Sequence, residues 1–465
     1  MKPTSTVPAW PSKFMAASAP HWITISACIT AGPVKPRFSS AIPNTATEKW
    51  LGRWDSKGTL AHGRMEDIEM DFRLTPQQEA LKKEFDDFFK EEEKRAPENW
   101  IGGFETRFET DENWAYYRSV IERVAKKGWL ALPWPKKYGG QEMGLIEQAL
   151  FAQSAEYHRV PAIDVHLSIV SASILEYGSE EIKSHWLPRM ARGEINFAQC
   201  WSEPNAGSDL ASLTTRAVED GDDYVINGQK IWTTGAHRAD HLFVLARTDP
   251  NAPKHKGLTY FLTEINRPGI TIRPLYYMNR AHVYNETFFD DVRIPKKNIV
   301  GQVNQGWYVT MAGANFERSG AGGVAALQRD LEDLVQFCKE TVRGGQALSK
   351  DPMVQRKLAE LAVQIEAARQ WSFYCAWQQS KNPLTFAEPS ASKYFMTELM
   401  VRFANTAVEI MGLYGTLKQG SKWAALKGKF ESQCQITLGF TIAGGSTETQ
   451  KNVIAWLGLQ LPRLK

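Results

Sequence analysis

The chain has few of the residues that cross-link small secreted proteins or bind metals. Its 465 residues include an odd number of cysteines, which are scattered and form no C-x-x-C pair: Cys28, Cys200, Cys338, Cys375 and Cys434. This pattern argues against a disulfide framework or a zinc site and favours a reducing compartment. The nine histidines are dispersed and form no H-E-x-x-H pattern. We therefore expect no metal.

Long apolar runs and clustered charge are also missing. Because no stretch of about 18 apolar residues occurs, we expect no membrane span. The formal net charge is only +3, and most of the basic excess lies in residues 1–64, which hold eight Lys/Arg and two Asp/Glu. The remainder is slightly acidic and has no basic stripe with interleaved aromatic residues, so nucleic acid is not an expected partner. The length suffices for two or three domains with a large core.

The first 64 residues differ in composition from the rest. They carry seven prolines and many Ser and Thr, and Glu48 is their first acidic residue. Such a segment can be an organellar transit peptide, which would place the protein in the mitochondrial matrix. The prolines interrupt any amphipathic helix, however. We therefore favour a disordered extension or a misassigned start over residues 1–69, with Met65 or Met70 as true starts, and a cytoplasmic protein.

Hydrophobic periodicity divides the remainder into three regions. Thr75-Pro76 reads as a helix start, and helical spacing follows to about residue 192. Alternating segments in 193–305 predict strands, with Asn227-Gly228 as a hairpin signal. Helical spacing returns from 306 to 465. This order predicts an α+β protein that is mostly α.

Two stretches contain residues suited to binding a ligand. In "CWSEPNAGSDL" (200–210), Gly207 allows close backbone approach, and Ser202 and Ser208 offer hydroxyls for phosphate or carbonyl oxygens. A plain turn between a helix and a strand is the alternative. In "GQKIWTTG" (228–235), Trp232 is expected on a strand after the hairpin, where it could cover a flat cofactor. A half-buried core tryptophan is the alternative.

Taken together, these motifs closely resemble the acyl-CoA dehydrogenase family of FAD-dependent flavoproteins. The resemblance extends to "YYMNRAHVYNETFFDDVRIPKKNIVGQVNQGW" (276–307), "AVEIMGLYG" (407–415) and "TIAGGSTETQKNVIAWLGLQLPR" (441–463). It implies a helical N-terminal domain (70–192), a small β-barrel middle domain (193–305) and a C-terminal four-helix bundle (306–465).

The resemblance also implies an FAD site. Three residues would line the flavin: Gln199, Trp201 and Ser202. Ser208 would meet the pyrophosphate or the substrate, while Trp232 would lie against the flavin and Thr234 near its N5 side. Ser446 and Glu448 would lie near the FAD phosphate and ribose. Glu409 would approach the adenine end from a neighbouring subunit.

The family reaction is the α,β-dehydrogenation of an acyl-CoA thioester. A carboxylate removes the α-proton, flavin N5 accepts the β-hydride, and an electron-transfer flavoprotein takes the electrons. In many members the base is a Glu in the C-terminal turn, where this chain has Gly444. Other members, including bacterial types, hold it on a helix of the C-terminal domain, directly before an arginine.

Glu317-Arg318 falls on that second position. We therefore predict Glu317 as the catalytic base, and Ser208, Asn315 and Arg318 as substrate contacts. A solvated helix carboxylate paired with a cation is the alternative for Glu317.

One departure from the family bears on partners. Many members carry an Arg-x-x-Phe-Gly segment that contacts FAD across the dimer, whereas this chain has Arg343 followed by Gly344-Gly345. It thus resembles subunits of α2β2 assemblies in which only some FAD sites are kept. A homo-oligomer or a paralogous partner subunit is expected, and a non-catalytic or half-site subunit, or an oxidase, remains an alternative.

The small residues Gly320, Gly322 and Gly323 hint at a widened cavity for a bulky or branched acyl group.

Overall fold

The computed structural model describes residues 73–162, 164–316, 321–382 and 385–463. The predicted extension over residues 1–69 lies outside these ranges. No helix within them is long and apolar enough to cross a membrane. The same residues contain no group of His, Cys, Asp or Glu side chains that could hold a metal ion.

Helices form the first region, as the periodicity predicts. They are α1 (Pro76–Glu93), α2 (Asp111–Lys126), α3 (Leu145–Tyr157), α4 (Val165–Tyr177) and α5 (Glu180–Ala191). The predicted start of α1 is confirmed, because the Thr75 hydroxyl accepts from the Gln78 N–H at 3.2 Å and the Gln78 side chain accepts from the Thr75 N–H at 3.0 Å. This reciprocal capping satisfies two N–H groups that the helix leaves free. Phe85, Phe89 and Val120 lie in the core that α1, α2 and α3 share.

The middle region is a single sheet of eight strands. They are β1 (Phe197–Cys200), β2 (Arg216–Asp220), β3 (Asp223–Lys230), β4 (His241–Arg247), β5 (Leu258–Glu264), β6 (Ile270–Tyr276), β7 (His282–Pro295) and β8 (Ile299–Val300). The strand order is β6-β7-β3-β2-β4-β5-β8, and β1 pairs with β4. The β1–β4 and β2–β4 pairs are parallel and the other pairs are antiparallel. The expected middle β domain is confirmed.

The predicted hairpin at Asn227-Gly228 is wrong. Both residues lie inside β3, and the chain instead turns at Gly221-Asp222 between β2 and β3. The register of β3 against β7 shifts between Ile226 and Gly228, which marks a β-bulge. The Asn227 amide donates to Asp291 on β7 at 2.9 Å. Asn227 therefore pairs across the sheet and does not form a turn.

Helices return in the last region. They are α6 (Gly306–Phe316), α7 (Ala321–Glu340), α8 (Pro352–Lys381), α9 (Ala387–Met411), α10 (Lys429–Phe440) and α11 (Thr447–Val453). A two-strand hairpin, β9 (Val342–Arg343) with β10 (Gln346–Ala347), follows α7. Leu334, Leu361, Phe403 and Phe430 contribute to one core from α7, α8, α9 and α10 respectively. The predicted helical C-terminal domain, with four helices around one core, is confirmed.

The loop between β6 and β7 joins the sheet to the C-terminal helices. The Tyr277 hydroxyl donates to the Ile436 carbonyl of α10 at 3.3 Å, and the Asn279 amide donates to the Ser432 hydroxyl at 3.0 Å. A Cβ on Gly439 would lie 1.8 Å from the Tyr277 hydroxyl, so only glycine admits this contact. The sheet is thereby fixed beside the end of α10, just before the C-terminal turn.

Candidate active site

A buried ion pair fixes the first predicted motif against the sheet. Lys230, at the end of β3, has no exposed surface, and its ammonium donates to Glu203 Oε1 at 2.9 Å and to the Trp201 carbonyl at 3.0 Å. Glu203 also accepts from the N–H groups of Thr214 and Thr215 at 2.7 and 2.8 Å. Burial alone would raise the pKa of Glu203, but the Lys230 charge and these hydrogen bonds hold it at about 2. Glu203 therefore stays ionised and anchors the motif.

Trp201 offers a buried hydrogen-bond donor that the described residues leave unused. Its ring packs edge-on to Phe243 with centroids 5.7 Å apart, and its indole nitrogen finds no partner. Buried indole N–H groups usually have an acceptor, so this orphan fits a site that a polar ring system completes. Gln199 lies two residues earlier in β1, and the Ser202 carbonyl accepts from the Ile231 N–H at 3.0 Å.

The prediction that Trp232 lies on a strand is wrong. Strand β3 ends at Lys230, and Trp232 has a φ of +60°, which turns the chain out of the extended conformation. Its side chain is 55% exposed and meets Tyr284 edge-on, with centroids 5.5 Å apart. A large aromatic side chain held in this way presents an open face beside the sheet, which a flat cofactor could cover.

The threonines after Trp232 have different surroundings. Thr233 is fully buried, and its hydroxyl accepts from the Thr287 hydroxyl at 3.0 Å while its carbonyl accepts from the Asn285 amide. These contacts hold the backbone of this turn. Thr234 is only partly buried, which leaves it as the member of the pair suited to a ligand contact.

Ser208 lies on the surface in an open part of the molecule. Both Ser208 and Gly207 are exposed, and a Cβ added at Gly207 would meet nothing within 4 Å. The segment thus has room for a ligand over it. The alternative of a plain turn describes its backbone, and its role toward FAD or substrate stays a prediction.

The C-terminal turn that carries Gly444 is held from several sides. Gly444 and Gly445 have φ of +65° and +94°, a left-handed conformation that favours glycine. The Gln450 amide donates to the Gly444 carbonyl at 2.9 Å, and the Lys393 ammonium donates to the Gly445 carbonyl at 2.7 Å. The Ser446 hydroxyl accepts from the Thr449 N–H at 3.3 Å and so caps α11. Its neighbour Glu448 is exposed.

Two residues for which the family resemblance raises a contact with a neighbouring subunit, Glu409 on α9 and Arg343 on β9, have partners within this chain. Glu409 is exposed and forms an ion pair with Lys357 of α8. The Arg343 guanidinium donates to the carbonyls of Ile410 and Met411 at 3.1 Å each, which satisfies the C-terminal end of α9. Arg343 thus has a structural partner, and the approach of Glu409 to a neighbouring subunit stays a prediction.

In the sequence, the predicted base falls between the end of α6 and the start of α7. Asn315 is in the final turn of α6, whereas Glu317 and Arg318 lie outside the described residues.

The expectation that glycines after Glu317 widen a cavity is wrong at two positions. A Cβ at Gly322 would lie 3.0 Å from Glu156 Cγ, and one at Gly323 would lie 2.9 Å from Met396 Sδ. These glycines instead let α7 pack closely on α3 and α9.

Sequence reasoning missed Glu203 and Lys230, although a signal was present. Both are charged residues inside otherwise apolar or small motifs, "CWSEP" and "GQKIW". Lys230 also occupies an inward position of β3, in which alternate residues are buried. A charge at an inward strand position indicates a buried partner.

Comparison with known proteins agrees with this architecture. The sequence matches three family descriptions: acyl-CoA dehydrogenase N-terminal domain (residues 75–194), middle domain (198–292) and C-terminal domain (304–457). Acyl-CoA dehydrogenase FadE29 of Mycobacterium tuberculosis is 35% identical over 396 residues, covering 84% of this chain and 98% of that protein. A solved structure titled Tcur3481-Tcur3483 steroid ACAD is 33% identical, with a TM-score of 0.75, covering 85% of this chain and all of that chain. The ChsE4-ChsE5 complex from Mycobacterium tuberculosis gives the same identity, TM-score and coverage.

The fold, the ordered motifs and these matches agree from residue 75 onward. Family membership brings with it FAD as the cofactor, and the unpartnered indole of Trp201 and the open face of Trp232 fit a bound flavin. The chain belongs to the acyl-CoA dehydrogenase family and is an FAD-dependent oxidoreductase acting on acyl-CoA thioesters.

Proposed function

We propose that Glu317 removes the α-proton of the acyl-CoA and that Gly444 marks the place from which the base has moved. The supporting observation is the C-terminal turn: Gly444 has a left-handed φ and offers no side chain. Glu317 stands between α6 and α7, directly before Arg318. A base there needs a site shielded from water so that its pKa rises toward working pH.

Different residues are proposed to contact different parts of FAD. Bound FAD supplies the acceptor for the hydride that leaves the β-carbon. Gln199, Trp201 and Ser202 would line the ring from the sheet, while Trp232 would cover it and Thr234 would bond near its N5 side. Ser208 would contact pyrophosphate or substrate. Ser446 and Glu448 would serve the phosphate and ribose, and Glu409 the adenine end.

Substrate positioning falls to residues around the helix junction. Asn315 and Arg318 flank Glu317 and would orient the thioester and the chain that follows it. The developing negative charge on the thioester oxygen needs hydrogen-bond donors close by. A bulky, ring-bearing acyl group is proposed because a similar solved structure is titled a steroid ACAD.

A partner subunit is part of the proposal. The described C-terminal helices and their loops expose large apolar side chains that a monomer would leave in water: Leu413, Trp423, Ile442 and Leu459. Large exposed apolar side chains indicate a contact surface where they adjoin one another. A homo-oligomer or a paralogous partner would cover them, and a similar structure is that of a two-protein complex.

A half-site subunit is the second candidate function, and Arg343 favours it. Its guanidinium bonds the end of α9 through one nitrogen, and the Phe-Gly pair that follows this arginine in many members is absent, so the cross-dimer FAD contact of those enzymes would be altered here. An electron-transfer flavoprotein is the proposed electron acceptor.

Product formation tests the proposed function. With FAD, an acyl-CoA and an electron-transfer flavoprotein, the chain should yield a thioester lighter by two hydrogens, which mass spectrometry detects. Equal turnover with oxygen alone would identify an oxidase. No product from the chain alone, with product only after adding a paralogous subunit, would identify the half-site role.

A further inference from the structure

The Trp232 turn, residues 231–235, holds a strained backbone conformation. Trp232 has a φ of +60°, which is costly for a large L side chain and persists only where the surroundings enforce it. On one side the Ile231 N–H donates to the Ser202 carbonyl at 3.0 Å. The turn carries Trp232 and Thr234, which are proposed to meet the flavin, so whatever fixes its backbone also bears on FAD.

Asn285 of β7 fixes the other side of this turn through two hydrogen bonds to Thr233. Its backbone carbonyl accepts from the Thr233 N–H at 2.9 Å, and its side-chain amide donates to the Thr233 carbonyl at 3.0 Å. Asn285 has no exposed surface. Because a carbonyl can only accept, the amide must face Thr233 through its nitrogen. The orientation of the Asn285 amide is therefore set by the turn.

The same amide lies against a stacked pair of histidines. His237, in the single helical turn Ala236–Arg238, and His282 of β7 have ring centroids 3.8 Å apart and planes 18° apart. His282 Nε2 lies 2.9 Å from Asn285 Oδ1, and His237 Nδ1 lies 3.2 Å from Asn285 Nδ2. Since the amide oxygen only accepts and the amide nitrogen only donates, His282 carries a hydrogen on Nε2 and His237 accepts through a bare Nδ1.

A second proton on His237 conflicts with this arrangement. It would add a hydrogen on Nδ1 that faces the hydrogens of the Asn285 amide. Burial, followed by the neighbouring His282 and Arg238, lowers the pKa of His237 to about 4. Turning the amide over would give the new hydrogen an acceptor, but would set the amide oxygen against the Thr233 carbonyl oxygen. A charged His237 and a held Trp232 turn therefore exclude each other.

The groups packed around the histidine pair give a charged His237 no other acceptor. The charged, titratable and aromatic members are Arg238, which pairs with Asp111 of α2; the Phe108 ring, near which Arg107 lies; and Tyr276 of β6, whose ring meets His282. Asp111 is their anion, and it is exposed and already bound to Arg238. Among the described residues, Asn285 is the only group that forms a hydrogen bond with the His237 ring.

We propose that Asn285 is a positioning residue for the FAD site and that protonation of His237 releases the turn it holds. While His237 is neutral, the amide fixes Thr233 and with it Trp232 and Thr234. When His237 takes a proton from solvent, the amide turns toward it and the Thr233 carbonyl loses its donor. FAD then binds more weakly. This inference rests on the proposed function, because the flavin contacts of Trp232 and Thr234 belong to it.

The direction of the pH effect follows from linkage. In the released turn His237 regains its ordinary pKa of about 6.5, whereas in the held turn the pKa is about 4. The held form is therefore fully favoured above about pH 6.5 and loses about tenfold per pH unit against the released form below it. Binding of FAD should follow the held form.

Hydrogen exchange and FAD binding between pH 8 and 5 test the proposal. In FAD-loaded protein, exchange of the peptide that contains Thr233, divided by the intrinsic rate at each pH, reports how often the turn opens. Its protection should be constant down to about pH 6.5 and then fall about tenfold per pH unit. The FAD dissociation constant, measured from flavin fluorescence on dilution, should rise over the same range. Peptides from α1 should keep constant protection, which separates release of the turn from global unfolding.

Two matched variants separate His237 from other titrating groups. His237→Phe keeps a ring for the stack but cannot take a proton, so both pH trends should disappear. His185→Phe makes the same change at an exposed histidine of α5 and should leave both trends as in wild type.

Asn285→Asp provides a result that a loss of packing alone cannot produce. Its carboxylate has no hydrogen for the Thr233 carbonyl, so at pH 8 the turn should open more often and FAD should bind more weakly than in wild type. As the pH falls, a charged His237 can donate to this carboxylate. Protection and FAD affinity should therefore rise over the range in which they fall in wild type.

Each other outcome is decisive. Constant protection and FAD affinity in wild type, or a wild-type trend that survives in His237→Phe, overturns the proposal. Asn285→Asp with the wild-type trend overturns the role of the amide, and if this variant does not fold, His237→Phe decides. FAD lost in acid without loss of protection at Thr233 overturns the link between the turn and the cofactor. Absence of dehydrogenation at pH 8 with both trends intact would remove the role of Glu317 and leave that of Asn285.

Discussion

Replacement of Glu317 by Gln is expected to stop α-proton removal while acyl-CoA still binds. Glutamine has a similar shape but cannot accept the proton, and a positioned general base contributes about 10²–10⁴-fold to rate. We expect turnover to fall at least about 10²-fold. Exchange of an α-deuterium with solvent under anaerobic conditions reports this step separately from hydride transfer.

Glu340→Gln is the matched control. Glu340 is the last residue of α7, exposed and bonded to Gln336, so the same change there should leave exchange at the wild-type rate. Exchange in Glu317→Gln within about threefold of wild type would mean that another group is the base. Loss of binding together with exchange would assign Glu317 a structural role instead.

Lys230→Met is expected to cause the largest loss of stability. Lys230 is fully buried and pairs with Glu203, and removal of one partner leaves the other charged and buried. Breaking such a pair costs about 3–5 kcal/mol. We expect a lower free energy of unfolding and, because the Trp201–Glu203 segment loses its anchor, reduced FAD content after purification.

A surface pair in the same domain supplies the comparison. Lys254→Met breaks an exposed pair with Asp209 and should cost no more than about 1 kcal/mol. The double variant Lys230→Met/Glu203→Gln removes both buried charges, keeps an amide oxygen that can accept from the Thr214 or Thr215 N–H, and should regain part of the lost stability. Equal thermal midpoints for Lys230→Met and Lys254→Met would show that the buried pair does not anchor the motif.

Features set by local sequence were predictable. The Thr75 cap, the helical spacing around Phe85 and the three-region order depend on residues a few positions apart, and each is confirmed. The family motifs likewise predicted the cofactor and the reaction class. Their order in the chain was enough, because the family fold places them together.

Features set by contacts between distant segments were not predictable. Asn227-Gly228 has the composition of a hairpin turn, but its pairing with Asp291 on β7 makes it a bulge. The composition of Gly322 and Gly323 suggests a cavity, but Glu156 and Met396, which are distant in the sequence, pack directly against them.

The most direct test of the account is the visible spectrum of the chain begun at Met65. The purified protein should be yellow with bound FAD, and an acyl-CoA added without oxygen should bleach the flavin in wild type but not in Glu317→Gln. A flavin that stays oxidised with linear, ring-bearing and carboxylate-ended thioesters alike, with or without a paralogous subunit, would contradict the account.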